Sequence, residues 1–417
     1  MRLLLVLLAG LLPVAFLASV TSADPRAPVS VVPAPEDQGP AFPAGIRAVE
    51  DLPQRYAEEE YFVSGAVDVW TYGSPPVPGE LFLQDVEQPY TTRIVVRRPV
   101  FPWRFNGTVV VEWLNSSAGF DSAPAWDMSA EFFARSGIVW VGVSVSPMSI
   151  AFLTDGCNYM SQPSCGTRYA ALSMPESGQA YEMVSQIVTL LRSARPENPL
   201  PWRLRRRVRR VFHVGQSQQA SDVTTYANEF HFELNDGYFM QAMAFSGKPP
   251  SSGSPSFGLS DLRGYPRTDL PVPVVRAQTE TDLVLFSFGA GRARQLDSDT
   301  PSFRYYELAG VAHNVVHEVE VLSLDGEPVL LGDLCVLPVN SGGDGPVFGK
   351  YIYNAIWRNM ERQVRSGIEP PHGEPIQMES GQIARDVFGN ALGGVRLTAL
   401  EVPLASYAPQ NDPKPSC

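Results

Sequence analysis

The chain has 417 residues, with 44 acidic against 32 basic side chains and a formal net charge of −12 at pH 7. That balance makes it a poor partner for nucleic acid and other polyanions, and the length accommodates two average domains or one large α/β domain with insertions. Its four cysteines and five histidines form neither a CxxC pair nor a Cys/His cluster, so no metal and no cofactor is expected.

Residues 1–23 (MRLLLVLLAGLLPVAFLASVTSA) combine one basic residue, an apolar run short for a span, and small residues at Thr21, Ser22 and Ala23. They predict a secretory signal peptide, with an uncleaved N-terminal anchor as the alternative. The expected location is secreted, periplasmic or extracellular, with no integral membrane span after signal removal. Residues 24–55, rich in Pro, Ala and Glu and lacking periodicity, read as a loosely attached arm or linker, which leaves 56–417 as the folded domain.

Strands come first: YFVSGAVDVW, TTRIVVRRPV and GTVVVEWL, by their β-branched and aromatic content. WDMSAEFFARSG reads as a helix, and IVWVGVSVS as a strand buried on both faces. A long amphipathic helix (ESGQAYEMVSQIVTLLRSA), a buried strand (VFHVG), a helix after Ser217, and strands in YFMQAMAFSG, VPVVRAQTE and SFRYYELAG follow. The chain ends in the helix IYNAIWRNMERQVRSG and a hairpin at ARDVFGNALGGVRLTALEVP. Alternating strands and helices after a β-rich opening predict an α/β fold with a mostly parallel central sheet flanked by helices. Loop or cap insertions are expected near 147–174, 248–268 and 324–346, on the edge where such sheets place ligands.

In an exported chain the cysteines pair: Cys157 and Cys165 close a short loop, leaving Cys335 and Cys417 as the second pair. The run RLRRRVRR at 203–210 reads as a solvated helix end or loop rim, since a short basic run without stacking aromatics is weak evidence for nucleic acid. His313 and His317 stand four apart with Glu318 beyond, but the zincin pattern needs Glu where Asn314 stands.

Ser217 sits where a buried strand meets a helix, two residues after Gly215, as in the G-x-S-x-G nucleophile turn; the last position holds Gln219 in place of glycine. A serine hydroxyl needs a base, an acid that orients the base, and donors for the oxyanion. His313 follows a later strand and is the candidate base, with His317 as rival; His213 lies inside the strand before the serine and reads as a core residue. Asp282 is the candidate acid, with Glu280 as the alternative. The backbone N–H of Gln218, and that of Ser116 or Asn115 in the loop after VVVEWL, are the expected oxyanion donors. Asn106 and Asn115 also head glycosylation sequons. Trp113, Phe120, Trp126 and Tyr159 line an apolar pocket or simply fill the core.

VVVEWLNSS, GQSQQA, NDGYFMQA, QTETD, YYELAGVAHN, DVFGNALGGVRL and VPLASY, spanning about 60 to 407, together resemble the α/β-hydrolase superfamily. More closely, they are similar to a little-characterised family of secreted α/β-hydrolase-domain proteins whose elbow reads G-x-S-Q-S-A; Gln219 departs from that pattern. The resemblance implies an α/β-hydrolase fold, Ser217 as nucleophile, His313 as base, an acid in TETD, the loop at Asn115 near the oxyanion hole, and carboxylic ester hydrolysis of a small-molecule or polymeric ester. A non-catalytic binding protein of the same fold, a peptidase, an acyltransferase and a polyester depolymerase are the alternatives.

Overall fold

The computed structural model describes residues 29–45, 47–158, 164–244, 246–285, 292, 295, 298, 300–313, 348–403 and 407. The expected signal peptide, Tyr159, His317, Cys335, Cys417 and the insertion at 324–346 lie outside them.

Nine strands form one sheet in the order β1-β2-β3-β5-β4-β6-β7-β8-β9. They are β1 (Ser30–Pro33), β2 (Tyr56–Tyr72), β3 (Leu81–Pro99), β4 (Thr108–Trp113), β5 (Val139–Val143), β6 (Arg210–Gln216), β7 (Gly237–Gln241), β8 (Val274–Thr279) and β9 (Phe303–Leu308). Pairings from β1 through β3 to β5 are antiparallel, and β5, β4, β6, β7, β8 and β9 run parallel. All the strand ends from β4 onward therefore share one edge, which is where an α/β sheet gathers chemistry from distant sequence.

The parallel strands read as near-continuous apolar runs because both faces are covered. Side chains alternate across the sheet. Val109, Val111 and Trp113 pack with α3 (Gln179–Arg192) and α5 (Gln218–Glu229), whereas Val110 and Leu114 pack with α1 (Pro124–Ser136) and α7 (Phe348–Ser366). Shorter helices are α2 (Pro147–Thr154), α4 (Trp202–Arg205), α6 (Glu280–Leu285) and α8 (Thr398–Glu401). Trp113, Phe120 and Trp126 are fully buried and belong to these two cores.

Helix α1 stops at Gly137, whose φ of 71° is left-handed and whose Cβ, if it had one, would lie 1.8 Å from the carbonyl oxygen of Arg104. Only glycine ends the helix so close to another backbone. The Asn106 N–H then donates to the Gly137 carbonyl at 2.9 Å, binding the loop before β4 to the end of α1.

Two expectations differ from the structure. The segment 24–55 is no loose arm over its described part. Its residues 30–33 form edge strand β1 against β2, and Phe42, Ala44, Val49 and Leu52 are buried. Prolines hid this, because they break the alternation a strand normally shows. The terminal hairpin is reduced to a single bridge between Arg385 and Ala391, and residues 398–401 turn into α8; its glycines at 389, 393 and 394 all take positive φ, which interrupts a regular ladder.

Candidate active site

Strand β6 ends at Gln216 and α5 begins at Gln218, so one residue, Ser217, makes the whole reversal. It does so with φ 54° and ψ −115°, a region that costs a non-glycine residue on the order of 1–3 kcal/mol and is held by its surroundings. The Ser217 N–H donates to the Gln241 carbonyl at the end of β7, 2.9 Å away. Gly215 makes room for the turn: a Cβ there would lie 2.3 Å from the carbonyl oxygen of Gln219 and 2.5 Å from its carbon.

The histidine and the acids come from the ends of the next strands. His313 follows β9, and its Nε2 lies 3.0 Å from Ser217 Oγ. Its Nδ1 lies 2.6 Å from Asp282 Oδ1. Asp282, in the first turn of α6, is fully buried and its other oxygen accepts the Thr279 N–H at 2.7 Å. With an acceptor on the Nδ1 side, the ring carries its proton there and leaves Nε2 free to accept from the serine hydroxyl.

Glu280, the alternative acid, does something else. Its N–H donates to the Val311 carbonyl at 3.1 Å, its carboxylate accepts the Gly310 N–H at 2.8 Å, and Arg385 pairs with it at 2.8 Å. These contacts clamp the loop that carries His313. Of the two acids, Asp282 is the one hydrogen-bonded to the imidazole.

The oxyanion side departs from expectation. The Asn115 N–H donates to the Ser122 carbonyl at 2.8 Å and Ser122 returns the bond, closing a two-way bridge. The Ser116 N–H donates to Gln219 Oε1 at 3.3 Å, and Gln219 Nε2 donates to Ser116 Oγ at 3.2 Å. Both amides are thus engaged within the protein, because the chain folds back at this loop and must satisfy its buried polar groups. Of the expected donors, the Gln218 N–H alone has no hydrogen-bond partner among the described residues. It stands at the first position of α5, where unpaired N–H groups and the helix dipole favour negative charge. The Ser117 hydroxyl donates to the Gln218 side-chain Oε1 at 3.3 Å.

Gln219 itself is fully buried. Its side chain grips Ser116 with both ends of its amide. Sequence reading marked Gln219 as an anomaly without seeing this contact. Gln216 was missed altogether: its Oε1 accepts Asn115 Nδ2 at 2.7 Å and its Nε2 donates to the His313 carbonyl at 3.4 Å, joining the two loops that flank the serine. Asn115 is nine-tenths buried and its amide is spent on Gln216, so as folded it is no glycosylation acceptor.

Two other histidines, His213 and His231, have partners away from Ser217. His213 is fully buried; its Nδ1 faces Trp113 Nε1 at 3.4 Å and its Nε2 faces Asn235 Oδ1 at 2.8 Å, and burial pushes its pKa down to about 3. His231 meets the Tyr238 hydroxyl at 2.8 Å, and burial also lowers its pKa. The disulfide Cys157–Cys165 is formed.

Comparison with known proteins supplies the remaining context. The family described as "Alpha/beta hydrolase domain" matches residues 28–417. No curated protein matches the chain. Among solved structures, it is similar to a fungal esterase from Rhizomucor miehei (13% identity, 76% of this chain and 86% of that one, TM-score 0.40). It is also similar to esterase Est22 (13% identity, 73% and 81%, TM-score 0.39), and to an α/β serine hydrolase without lid from Xanthomonas campestris (12% identity, 60% and 86%, TM-score 0.32). Likenesses this distant carry no weight for activity.

Proposed function

We propose, from the premise that this chain belongs to the alpha/beta hydrolase domain family, that it is a secreted serine hydrolase acting on carboxylic esters through an acyl-enzyme. One observation carries the reading: the unbroken line from Asp282 to His313 at 2.6 Å and from His313 to Ser217 at 3.0 Å, built from three separate strand ends.

In the first half-reaction Ser217 Oγ attacks the ester carbonyl carbon and its proton passes to His313 Nε2. Asp282 holds the imidazole in the tautomer that can accept that proton and stabilises the imidazolium that results. The carbonyl oxygen becomes an oxyanion, received by the Gln218 N–H at the head of α5. The amides of Asn115 and Ser116 are bound elsewhere, which leaves the Gln218 N–H as the one of the expected donors that can turn to it. The imidazolium then protonates the departing alkoxide and the C–O bond breaks, leaving an acyl-Ser217 ester. Water, deprotonated by His313, attacks that ester, and the serine is released with the carboxylic acid product.

The test is labelling of the purified protein with a fluorophosphonate probe beside Ser217→Ala, followed by a panel of short to long acyl esters. The expected result is labelling and turnover by the unmutated protein and neither by the variant. An unmutated protein that takes no label and hydrolyses no ester overturns the reading, and labelling that survives in the variant moves the nucleophile to another residue.

A further inference from the structure

The end of the sheet opposite Ser217, where β4 starts at Thr108 and β6 at Arg210, gathers four segments. Glu361 of α7 accepts from Asn106 Nδ2 at 3.0 Å and from Thr108 Oγ1 at 2.6 Å. The Arg207 guanidinium donates to the carbonyls of Pro102 and Phe105 at 2.8 and 3.1 Å. The Asn106 N–H holds the end of α1 through Gly137. The loop 101–107, the run 202–210, the end of α1 and the last turns of α7 are therefore one continuous surface.

That surface is basic on a chain whose net charge is −12. Arg358, Arg362 and Arg365 recur at i, i+4 and i+7 on the outer face of α7, and all three are exposed. With Arg135 they line a groove of about 870 Å³ between α1 and α7. None of those three α7 arginines has a carboxylate partner among the described residues, and the groove's one acid, Glu361, is already bound to Asn106 and Thr108. From the other side, Arg206 and Arg209 are also exposed. The crowding is felt at Arg210: its pKa is lowered by burial first, then, against the pull of Glu361, by the charges of Arg365 and Arg209.

Two indoles stand out of the same surface. Trp103 is 70% exposed and Trp202 57%, Trp103 backed by the stacked ring of Phe101 and Trp202 by the guanidinium of Arg203. Exposed tryptophans are costly in water and are the residue type that settles at the boundary of headgroups and acyl chains, apolar body inward and N–H outward. A dissolved polyanion would engage the arginines and leave both indoles in water; an anionic bilayer surface engages both sets.

We propose that this face docks the protein on an anionic lipid surface, the arginines meeting phosphate headgroups and Trp103 and Trp202 entering the interface. Attachment is peripheral and independent of any turnover at Ser217. It points the strand ends that carry Ser217, Asp282 and His313 away from the bilayer.

The test is co-sedimentation of the mature chain with phosphatidylcholine vesicles, with and without about 30% phosphatidylglycerol, followed also by tryptophan emission. Binding and a blue shift are expected only with phosphatidylglycerol present, and both recede as salt rises from about 0.1 to about 0.5 M. Each cation near such a surface contributes roughly fivefold, so Arg358→Gln/Arg362→Gln/Arg365→Gln together weaken binding on the order of a hundredfold. Trp103→Ser/Trp202→Ser removes the blue shift and weakens binding further. Both variants keep the thermal midpoint and the fluorophosphonate labelling of the parent, which shows that folding is intact. No sedimentation with anionic vesicles overturns the proposal, as does binding that survives both sets of substitutions. So does heparin binding that the arginine variant loses while the tryptophan variant keeps it, if neither variant changes vesicle binding, for that outcome assigns the face to a soluble polyanion.

Discussion

The wedge between Gly215 and α5 yields a quantitative prediction. In Gly215→Ala the new methyl would lie 2.3 Å from the Gln219 carbonyl oxygen, 2.5 Å from its carbon and 2.9 Å from the Ala220 nitrogen. All three are backbone atoms of the first turn of α5, so no side chain can rotate aside. Ordinary contact lies roughly 1 Å farther out, and the helix must retreat by about that much. Ser217 is the residue that joins β6 to this helix, so its Oγ moves with it and the 3.0 Å approach to His313 opens beyond hydrogen-bond range. A misplacement of about 1 Å in such a constellation costs on the order of a hundredfold in rate, and the overpacking costs roughly 1–3 kcal/mol of stability. The assay is the second-order rate of fluorophosphonate labelling together with the thermal unfolding midpoint, measured on Gly215→Ala and on Gly215→Ser. Labelling within about threefold of the parent, at an unchanged midpoint, would refute the claim that α5 is wedged against the strand.

Further outcomes follow from the same contacts. Asp282→Asn is expected to lower ester turnover by on the order of 10³–10⁴ with little change in unfolding midpoint, because it disturbs the tautomer of His313. Glu280→Gln, which frees the loop at Gly310 and unpairs Arg385, should instead cost roughly 1–3 kcal/mol of stability, the penalty of an unsatisfied buried group, and so lower the midpoint, with turnover affected only secondarily; equal effects in the two variants, read by parallel kinetics and melting, would sink the division of labour. His213 has its folded pKa near 3 against about 6.5 in the unfolded chain. The unfolded chain therefore binds one more proton between those values, and stability conferred above pH 6.5 is lost at roughly 1.4 kcal/mol per pH unit as pH falls. Unfolding curves of His213→Gln should be flatter by that amount from about pH 6 to about pH 4, and unaltered pH dependence would contradict a neutral buried ring. Cys157 and Cys165 are separated by 8 positions, so replacing both with serine should cost roughly 2.5 kcal/mol in urea unfolding.

Much of this architecture is legible in the sequence because buried parallel strands advertise themselves: TVVVEW, VWVGV and VVRAQT are too apolar and β-branched for surface elements. Order along the chain, a serine after one strand and an acid and a histidine after later ones, points those three residues to one sheet edge. What stays hidden are the contacts made by side-chain amides. Asn115, Gln216 and Gln219 carry no period and no charge, and their partners lie about a hundred residues away, so nothing local distinguishes Gln219 as the holder of Ser116 from a packing defect. The choice between Asp282 and Glu280 is hidden for another reason. Two residues apart in one turn, they differ only in which way the turn faces. Edge strand β1 is masked by its prolines, and the arginine run at 203–210 looks ordinary until α7 brings three more arginines beside it.

The attachment of the N-terminal segment has a consequence for timing. Arg168 donates to the Pro35 carbonyl at 2.8 Å across 133 positions of sequence, the Phe42 N–H donates to the Tyr169 hydroxyl across 127, and the Thr167 N–H donates to Gln38 at 3.0 Å. The earliest described part of the chain to be synthesised therefore has no complete berth until residues 165–169 have arrived beside the disulfide loop. During that interval the outer rim of β2 is open, and open strand rims recruit other chains. The first-made strand is therefore not fully seated until more than a hundred further residues have been added.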